Sequence, residues 1–262
     1  MTSRAQACAC HDDLGSARTA VPDDVLRQLK SVSIPSISGI LRRLGYPNTF
    51  LSGLVPRTSA QSFAGRALTA RALPTRKDVA AAQAGAASLH RRAFETIEPG
   101  DVLVIDARGD VRARVTGDIL ATRLKYRGAA ALVTDGAIGD LAAMQAVGLP
   151  LYSLGLTPVS FGELHVMADL NVPISCAGVL VMPGDILVGD PEGIIAIPQA
   201  LAAEVATAGV EAERRDAFSR SKVEAGYALA DAYPLSEPLR AEYEATKARA
   251  NASAKAMDRP AT

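Results

Sequence analysis

Two aspartates, Asp118 and Asp140, stand where carboxylates could do chemistry. Each follows an apolar, β-branched run and precedes apolar residues at helical spacing. Two carboxylates at strand ends can share one divalent cation through oxygen ligands and water. Gly117 precedes Asp118, and the first backbone amides of a helix can bind a carboxylate or a phosphate. Spacing alone leaves a second interpretation open, in which each aspartate only caps its own helix.

Alternating strand and helix patterns surround both aspartates. Apolar runs bounded by turn residues predict strands, and apolar residues at helical spacing predict helices. Around the aspartates the predicted strands are 102–106, its partner 111–115, 129–134 and 151–154, and the predicted helices are 118–127 and 140–147. Further strands are predicted at 65–73, 172–174, 179–181, 186–188 and 193–198, and further helices at 23–29, 37–44, 80–94, 199–223 and in the tail up to residue 250. These patterns predict an α/β core with mixed strands and helices at both ends.

The composition excludes several classes of protein. Lys plus Arg equals Asp plus Glu at 28 each, so no basic face indicates a nucleic-acid partner. No run reaches the ~20 apolar residues of a membrane span, and the first residues lack the apolar core of a signal peptide. We therefore expect a cytoplasmic protein with no membrane partner.

The three cysteines do not indicate a disulfide framework. Cys8, Cys10 and His11 lie close together, but a zinc site would need a fourth ligand and usually a wider cysteine spacing. Residues 1–20 are small and polar, so we predict a disordered tail there. Cys176 is flanked by apolar and small residues, which favours a packed thiol over a nucleophile.

Five motifs occur in the order and spacing of a known family. The motifs are Gly117-Asp118-Ile119-Leu120, residues 135–140, residues 99–102, residues 171–179 and residues 183–193. Together they resemble the RraA-like family, which includes class II 4-hydroxy-4-methyl-2-oxoglutarate aldolases with oxaloacetate decarboxylase activity and regulators of ribonuclease E. The family hallmark is an aspartate, twenty intervening residues and then Arg-Asp. Here Asp118 is followed by twenty residues and then by Gly139-Asp140.

The resemblance implies a swivelling β/β/α domain over residues 21–225, followed by a C-terminal helical extension over 226–262. It implies a homotrimer, or a hexamer of two stacked trimers, with active sites between subunits. In such enzymes Asp140 would ligate Mg²⁺ or Mn²⁺, and Asp118 would be the catalytic residue that holds metal-bound water. Gly117 and the amides of Ile119 and Leu120 would bind the carboxylate of a 2-keto acid.

Gly139 departs from the family pattern, because an arginine that binds the substrate stands there in the family. Three functions remain open. The first is a metal-dependent lyase that cleaves a 4-hydroxy-2-oxo acid to release pyruvate, or decarboxylates oxaloacetate. The second is altered chemistry on the same scaffold, as a dehydratase, hydrolase or isomerase of a keto or sugar acid, since a glycine would open room for a larger substrate. The third is a non-catalytic regulator with a ribonuclease E-type partner, which needs an exposed partner surface and no metal.

Other charged residues are candidates for supporting roles. Arg76 lies in a loop before the core and could replace the missing arginine in binding substrate. His165 could donate a proton, although a surface histidine fits its sequence context better. We expect Arg123, Lys125 and Arg127 to lie on a solvated helix face. The acids that could complete the site from a neighbouring subunit are Glu213, Asp216 and Glu192.

Overall fold

The computed structural model of the chain describes residues 21–58, 61–82 and 88–257. The strands are β1 (Val55–Pro56), β2 (Phe63–Pro74), β3 (Val102–Asp106), β4 (Arg114–Thr116), β5 (Ala131–Ile138), β6 (Leu151–Leu156), β7 (His165–Leu170), β8 (Ile174–Cys176), β9 (Val179–Val181), β10 (Ile186–Asp190) and β11 (Gly193–Ile197). The helices are α1 (Asp23–Lys30), α2 (Ile34–Arg43), α3 (Lys77–Ala82), α4 (Leu89–Glu95), α5 (Asp118–Tyr126), α6 (Leu141–Val147), α7 (Phe161–Leu164), α8 (Ala202–Glu224), α9 (Leu229–Ala232) and α10 (Glu237–Met257).

The main sheet has nine strands, with β1-β6-β5-β3-β2-β10-β11 as its longest path. The four central strands β6, β5, β3 and β2 run parallel, and the flanking strands β1 and β10 pair antiparallel to their neighbours. Strand β4 adds to β5, and β7 adds to β2. Strands β3 and β5 are buried along their whole length, as expected for parallel strands covered on both faces.

The hydrophobic core lies on both faces of this sheet. Successive side chains of a strand point to opposite faces, and in β3 Leu103 and Ile105 join one buried cluster while Val102 and Val104 join another. Residues of α4, α5 and α6 pack into the first cluster, and the β8–β9 hairpin packs into the second. Cys176 is fully buried in the second cluster, and this burial raises the pKa of its thiol. The prediction of a packed thiol is confirmed.

The predicted α/β class, with helices before and after the sheet, is confirmed. Three local predictions are wrong. Only residues 114 and 115 of the predicted strand 111–115 are extended, as part of β4, which pairs with β5 instead of the preceding strand β3. Within the described residues, the predicted helix 80–94 is two separate helices, α3 and α4. The third error is the omission of β7, which pairs with β2.

The chain forms two compact units, the first ending at Gly209 and the second beginning at Val210, within α8. In the second unit, Leu239 and Tyr243 belong to a small buried cluster, and the Glu211 carboxylate accepts hydrogen bonds from Tyr243 and Lys247. The predicted domain bounds at 20/21 and 225/226 remain predictions. The Cys8, Cys10 and His11 motif lies outside the described residues. No helix in the described part of the chain is long and apolar enough to cross a membrane.

A buried carboxylate organises the loops next to the central strands. Asp135 lies within β5, and its oxygens accept hydrogen bonds from the backbone amides of Ala107 (2.6 Å), Gly109 (3.1 Å) and Ala177 (3.4 Å). Burial raises the pKa of Asp135, because removing the carboxylate from water penalises its charged form. The three amides come from two loops that are distant in sequence. Asp135 therefore holds both loops against the sheet.

We expect Asp135→Asn to lower the free energy of unfolding by about 1–3 kcal/mol, because the new amide group would face a backbone donor that then loses its acceptor. Chemical denaturation followed by circular dichroism measures this change. The matched control is Asp78→Asn, which breaks an exposed pair with Arg76 and should have a much smaller effect. An Asp135→Asn protein as stable as the parent would contradict the anchoring role.

Candidate active site

The start of α5 presents backbone amides without a side-chain cap. Gly117 occupies the N-cap position in an extended conformation, and Asp118 is the first helical residue. The first amides of a helix have no partner within the helix, and Gly117 has no side chain that could accept from them. The Ile119 side chain beside these amides is 79% exposed. This end of α5 is open to an anion.

Asp140 does not cap its helix. It occupies the N-cap position of α6 with a left-handed backbone (φ 53°, ψ 40°), and its side chain makes no capping hydrogen bond. Its carboxylate instead accepts hydrogen bonds from Nη1 of Arg114, at 3.0 Å to Oδ1 and 2.9 Å to Oδ2. The capping interpretation is therefore wrong for Asp140. The cap position of α5 belongs to Gly117, not to Asp118.

Two glycines border the ion pair between Arg114 and Asp140. A Cβ atom at Gly117 would lie 2.5 Å from Oδ2 of Asp140, closer than real Cβ contacts come. A Cβ atom at Gly139 would lie 2.5 Å from Cδ and 2.6 Å from Nη1 of Arg114. The expectation that Gly139 opens room for a larger substrate is therefore wrong. The space beside Gly139 holds the Arg114 side chain.

Strand pairing brings Arg114 to this position. In the parallel pair of β4 and β5, Arg114 lies opposite Ala137 and Thr116 lies opposite Ile138, with a register shift between them. The amide of Gly139 donates to the carbonyl of Thr116 (3.1 Å), and the amide of Arg114 donates to the carbonyl of Val159 (2.9 Å). The first bond joins the end of β4 to the residue after β5, and the second joins the start of β4 to the segment after β6.

The ion pair between Arg114 and Asp140 lines two clefts. The larger has a volume of about 350 Å³, and its lining includes Asp118, Asp140, Arg114, His90 and Phe161. The smaller, of about 290 Å³, is also lined by Arg114 and Asp140 and is bordered by Gly139 and Leu156. We treat the larger cleft as the candidate active site, because the open end of α5 also lines it.

The structure brings together five of the six predicted site residues: Gly117, Asp118, Ile119, Leu120 and Asp140 all line the larger cleft. Arg76 is not among its described lining residues. Its guanidinium pairs with the Asp78 carboxylate (Nε to Oδ1, 2.7 Å) at an exposed position. A substrate contact by Arg76 remains a prediction.

Three of the other candidate charges have local partners. Arg123 pairs with Glu95, Lys125 donates to the carbonyl of Gly148, and Arg127 donates to the carbonyl of Ile97. Helix α8 carries Glu213 and Asp216, and Glu192 lies in the turn between β10 and β11. The roles proposed for these acids remain predictions.

His165 is 1% exposed, so the expectation of a surface histidine is wrong. Neither ring nitrogen makes a hydrogen bond to any residue that the structure describes. It lines a separate cavity of about 310 Å³, together with His90 and Phe161. No local sequence pattern indicated this burial, because β7, on which His165 lies, was not predicted.

His90 and Arg114 are cleft residues that sequence reasoning missed. Nε2 of His90 lies 2.7 Å from the carbonyl of Val115 and must donate to it, since a carbonyl oxygen only accepts. The His90 ring stacks on Phe161 with ring centroids 4.0 Å apart, and burial lowers its pKa. One signal in the sequence could have identified Arg114. It lies on the short segment that leads directly into the glycine-capped helix α5.

The donor set fits one kind of metal ion. Among the described residues no group of three or more His, Cys, Asp or Glu side chains could hold a metal. The cleft instead offers the carboxylates of Asp118 and Asp140. Mg²⁺ keeps several waters and usually binds through one or two carboxylates, whereas structural zinc takes four protein ligands. The cleft therefore fits a largely hydrated hard cation, which would share Asp140 with Arg114.

Residues 33–196, more than half of the chain, match the sequence profile of the RraA-like family, described as Aldolase/RraA. The chain belongs to the RraA-like family. A Thermus thermophilus protein named "4-hydroxy-4-methyl-2-oxoglutarate aldolase" is 31% identical over 159 residues, which cover 58% of this chain and 92% of the relative. A Halalkalibacterium halodurans protein named "Putative 4-hydroxy-4-methyl-2-oxoglutarate aldolase" is 41% identical over 108 residues, 41% of this chain and 51% of the relative. The match thus spans about half the length of that second relative.

Two solved structures share the fold. Streptomyces coelicolor RraAS2, described as an unusual member of the RNase ES inhibitor RraA protein family, superposes with a TM-score of 0.72 and 30% identity. The superposition covers 78% of this chain and all of RraAS2. An uncharacterized protein of Pseudomonas syringae superposes with a TM-score of 0.75 and 24% identity, over 84% of this chain and 98% of that one. The second likeness concerns the fold alone.

Partly buried His90 and buried His165 predict how stability depends on pH. Burial lowers the pKa of both His90 and His165 from the ordinary value of 6.5, so the unfolded chain takes up these protons at a higher pH than the folded chain. Stability should therefore fall as the pH drops below about 6.5, by up to about 1.4 kcal/mol per pH unit for each histidine. Urea denaturation between pH 7.5 and 5 measures this loss.

His165→Phe is the matching variant, since it keeps an aromatic ring in the cavity and removes one titrating group. It should lose less stability than the parent over the same pH range. Ion pairs with Arg123 and Lys247 lower the pKa values of the Glu95 and Glu211 carboxylates. The stability that such carboxylates contribute to the protein is therefore lost only at lower pH. Equal pH dependence in both proteins would contradict the assignment of this loss to His165.

Proposed function

We propose that this chain is a divalent-metal-dependent carbon–carbon lyase acting on a small 2-keto acid. The reaction is either aldol cleavage of a 4-hydroxy-2-oxo acid to release pyruvate or decarboxylation of oxaloacetate. One observation carries the proposal: the Asp118 and Asp140 carboxylates, the open end of α5 and a guanidinium line the same cleft. The aldolase names of the relatives support the same reaction class.

Each group in the cleft has a role in this chemistry. The backbone amides of Ile119 and Leu120, at the positive end of the α5 dipole, bind the substrate carboxylate. Asp140 and a water held by Asp118 would hold Mg²⁺ or Mn²⁺. When bound, the cation polarises the 2-keto oxygen and stabilises the negative charge that develops as the carbon–carbon bond breaks. Asp118 moves a proton through its water, and no described side chain competes for its carboxylate.

The two alternatives fare differently. Altered chemistry rested on an open space at Gly139, and that space holds Arg114. A regulator of a ribonuclease E-type partner has the support of RraAS2, which is described within a family of RNase ES inhibitors. The two functions separate experimentally, because a regulator needs no divalent metal and no intact cleft. A homotrimeric or hexameric assembly and a cytoplasmic location belong to the proposal as well.

Asp140→Asn should abolish metal-dependent turnover, because the amide lacks the negative charge that holds the cation. A panel of oxaloacetate, 4-hydroxy-4-methyl-2-oxoglutarate and sugar-derived 2-keto acids, assayed with Mg²⁺ or Mn²⁺, measures the loss. The control is Asp24→Asn, which removes an exposed acid of the first turn of α1 and should leave the rate unchanged. Undiminished turnover in excess chelator would contradict the metal-dependent function. Absence of turnover on the whole panel would favour the regulator.

Gly117→Ala tests the geometry of the cleft without changing any charge. The added Cβ would lie 2.5 Å from Oδ2 of Asp140 and must displace that carboxylate. We expect kcat/KM to fall by about 10- to 100-fold, since small misplacements in an active site are costly. Gly162→Ala is the matched control, because a Cβ there would meet no atom within 4 Å. Equal kcat/KM in both variants would show that Asp140 tolerates displacement and that its observed position is not required.

A further inference from the structure

We propose that the guanidinium of Arg114 binds the substrate's negative charge together with the amides of Ile119 and Leu120, and that it has room there because residue 139 is glycine. The assignment rests on the proposed function and identifies the positively charged side chain of the same site. The proposed substrate is a small 2-keto acid that binds in this cleft through its carboxylate and keto oxygen.

The guanidinium of Arg114 has donors left for a ligand. It presents five N–H groups in a planar fork. Both of its hydrogen bonds to described residues use Nη1, and both go to the carboxylate of Asp140. The Nε and Nη2 donors make no hydrogen bond within the described part of the chain. A planar fork of this kind matches a carboxylate, or a carboxylate and an adjacent oxygen.

The position of Arg114 suits it to act on a ligand. Its side chain is only 28% exposed, so water screens its charge less than that of a surface arginine. It shares one cleft with Asp118 and the open end of α5. Arg91 also lines this cleft but is exposed. Two residues away from Arg114, Arg112 is 73% exposed and is held by Asp110 through Nε and Nη2.

Gly139 and Arg114 depend on each other. Any side chain at 139 would begin 2.5–2.6 Å from Cδ and Nη1 of Arg114, so the Arg114 side chain would have to shift from its observed position. A side chain at 139 and the side chain of Arg114 therefore compete for the same space. In this chain the positive charge comes from the end of β4.

The first test compares Arg114→Ala and Arg114→Gln with the control Arg112→Ala. We expect Arg114→Ala to lower kcat/KM for oxaloacetate about 10- to 100-fold, the usual loss when one charge-assisted hydrogen-bonding partner is removed. Calorimetry at saturating Mg²⁺ should show a similar weakening of the Kd for oxalate, used as a probe of the carboxylate site. Arg114→Gln keeps most of the side-chain volume and should lose oxalate affinity as well. Arg112→Ala should match the parent in both measurements.

A separate measurement distinguishes ligand binding from simple neutralisation of Asp140. The Kd for Mn²⁺ without oxalate should be unchanged or tighter in Arg114→Ala, because a cation competing for Asp140 has been removed. If only the Mn²⁺ affinity changed and oxalate affinity at saturating metal stayed at the parent value, the proposal would be overturned. A parent protein that shows neither metal-dependent turnover nor metal-dependent oxalate binding would instead overturn the proposed function.

The second test moves the arginine between the two positions. Gly139→Arg alone should reduce oxalate affinity, because its side chain displaces Arg114 from Asp140. The double variant Arg114→Ala with Gly139→Arg should bind oxalate at least about 10-fold more tightly than Arg114→Ala alone. The reason is that one guanidinium again lies beside Asp140. Additive losses in the double variant would overturn the mutual dependence of positions 114 and 139. Melting temperatures of all variants confirm that the comparison is made between folded proteins.

Discussion

The arrangement around the cleft depends on the hydrogen bonds that the buried Asp135 carboxylate accepts from backbone amides. This carboxylate lies inside the sheet and accepts hydrogen bonds from Ala107 and Gly109, which begin the loop leading to β4. Strand β4 carries Arg114 at its start and ends directly before the glycine that opens α5. The position of the guanidinium in the cleft thus depends partly on an acid that is not among the described residues lining that cleft. The aspartate that holds the loops and the two aspartates that line the cleft are thus different residues with different surroundings.

The cleft combines two sources of positive potential with two carboxylates. The open end of α5 contributes backbone dipoles, and Arg114 contributes a full charge that its ion pair with Asp140 partly offsets. Glycines at 117 and 139 allow the carboxylate and the guanidinium to lie this close to the backbone. Such a balance of charge suits a ligand that is itself anionic and that brings or shares a cation. The absence of side chains at two positions is therefore as much a part of the site as the charged groups are.

Local patterns predicted most of the sheet and the two helices that start at the aspartates. Apolar runs identified β3 and the first half of β5, and the Gly-Asp pair identified the start of α5. Arg114 was missed because its position follows from the pairing of β4 with β5, which local periodicity does not specify. His165 was placed at the surface for the same kind of reason, since its burial depends on the pairing of β7 with the distant β2. Contacts between segments far apart in sequence are what the sequence alone did not reveal.

The contact between residue 139 and the Arg114 side chain links the fate of two substitutions. Arginine at both positions would crowd one space, and arginine at neither would leave Asp140 without the cation that it contacts in this structure. A chain could therefore pass from one arrangement to the other only through a crowded or an uncompensated intermediate. We therefore expect the effect of a change at either position to depend on the residue at the other, which is epistasis within one cleft. Classifying such chains by the residue at one motif position would misclassify those that keep the arginine but carry it at another position.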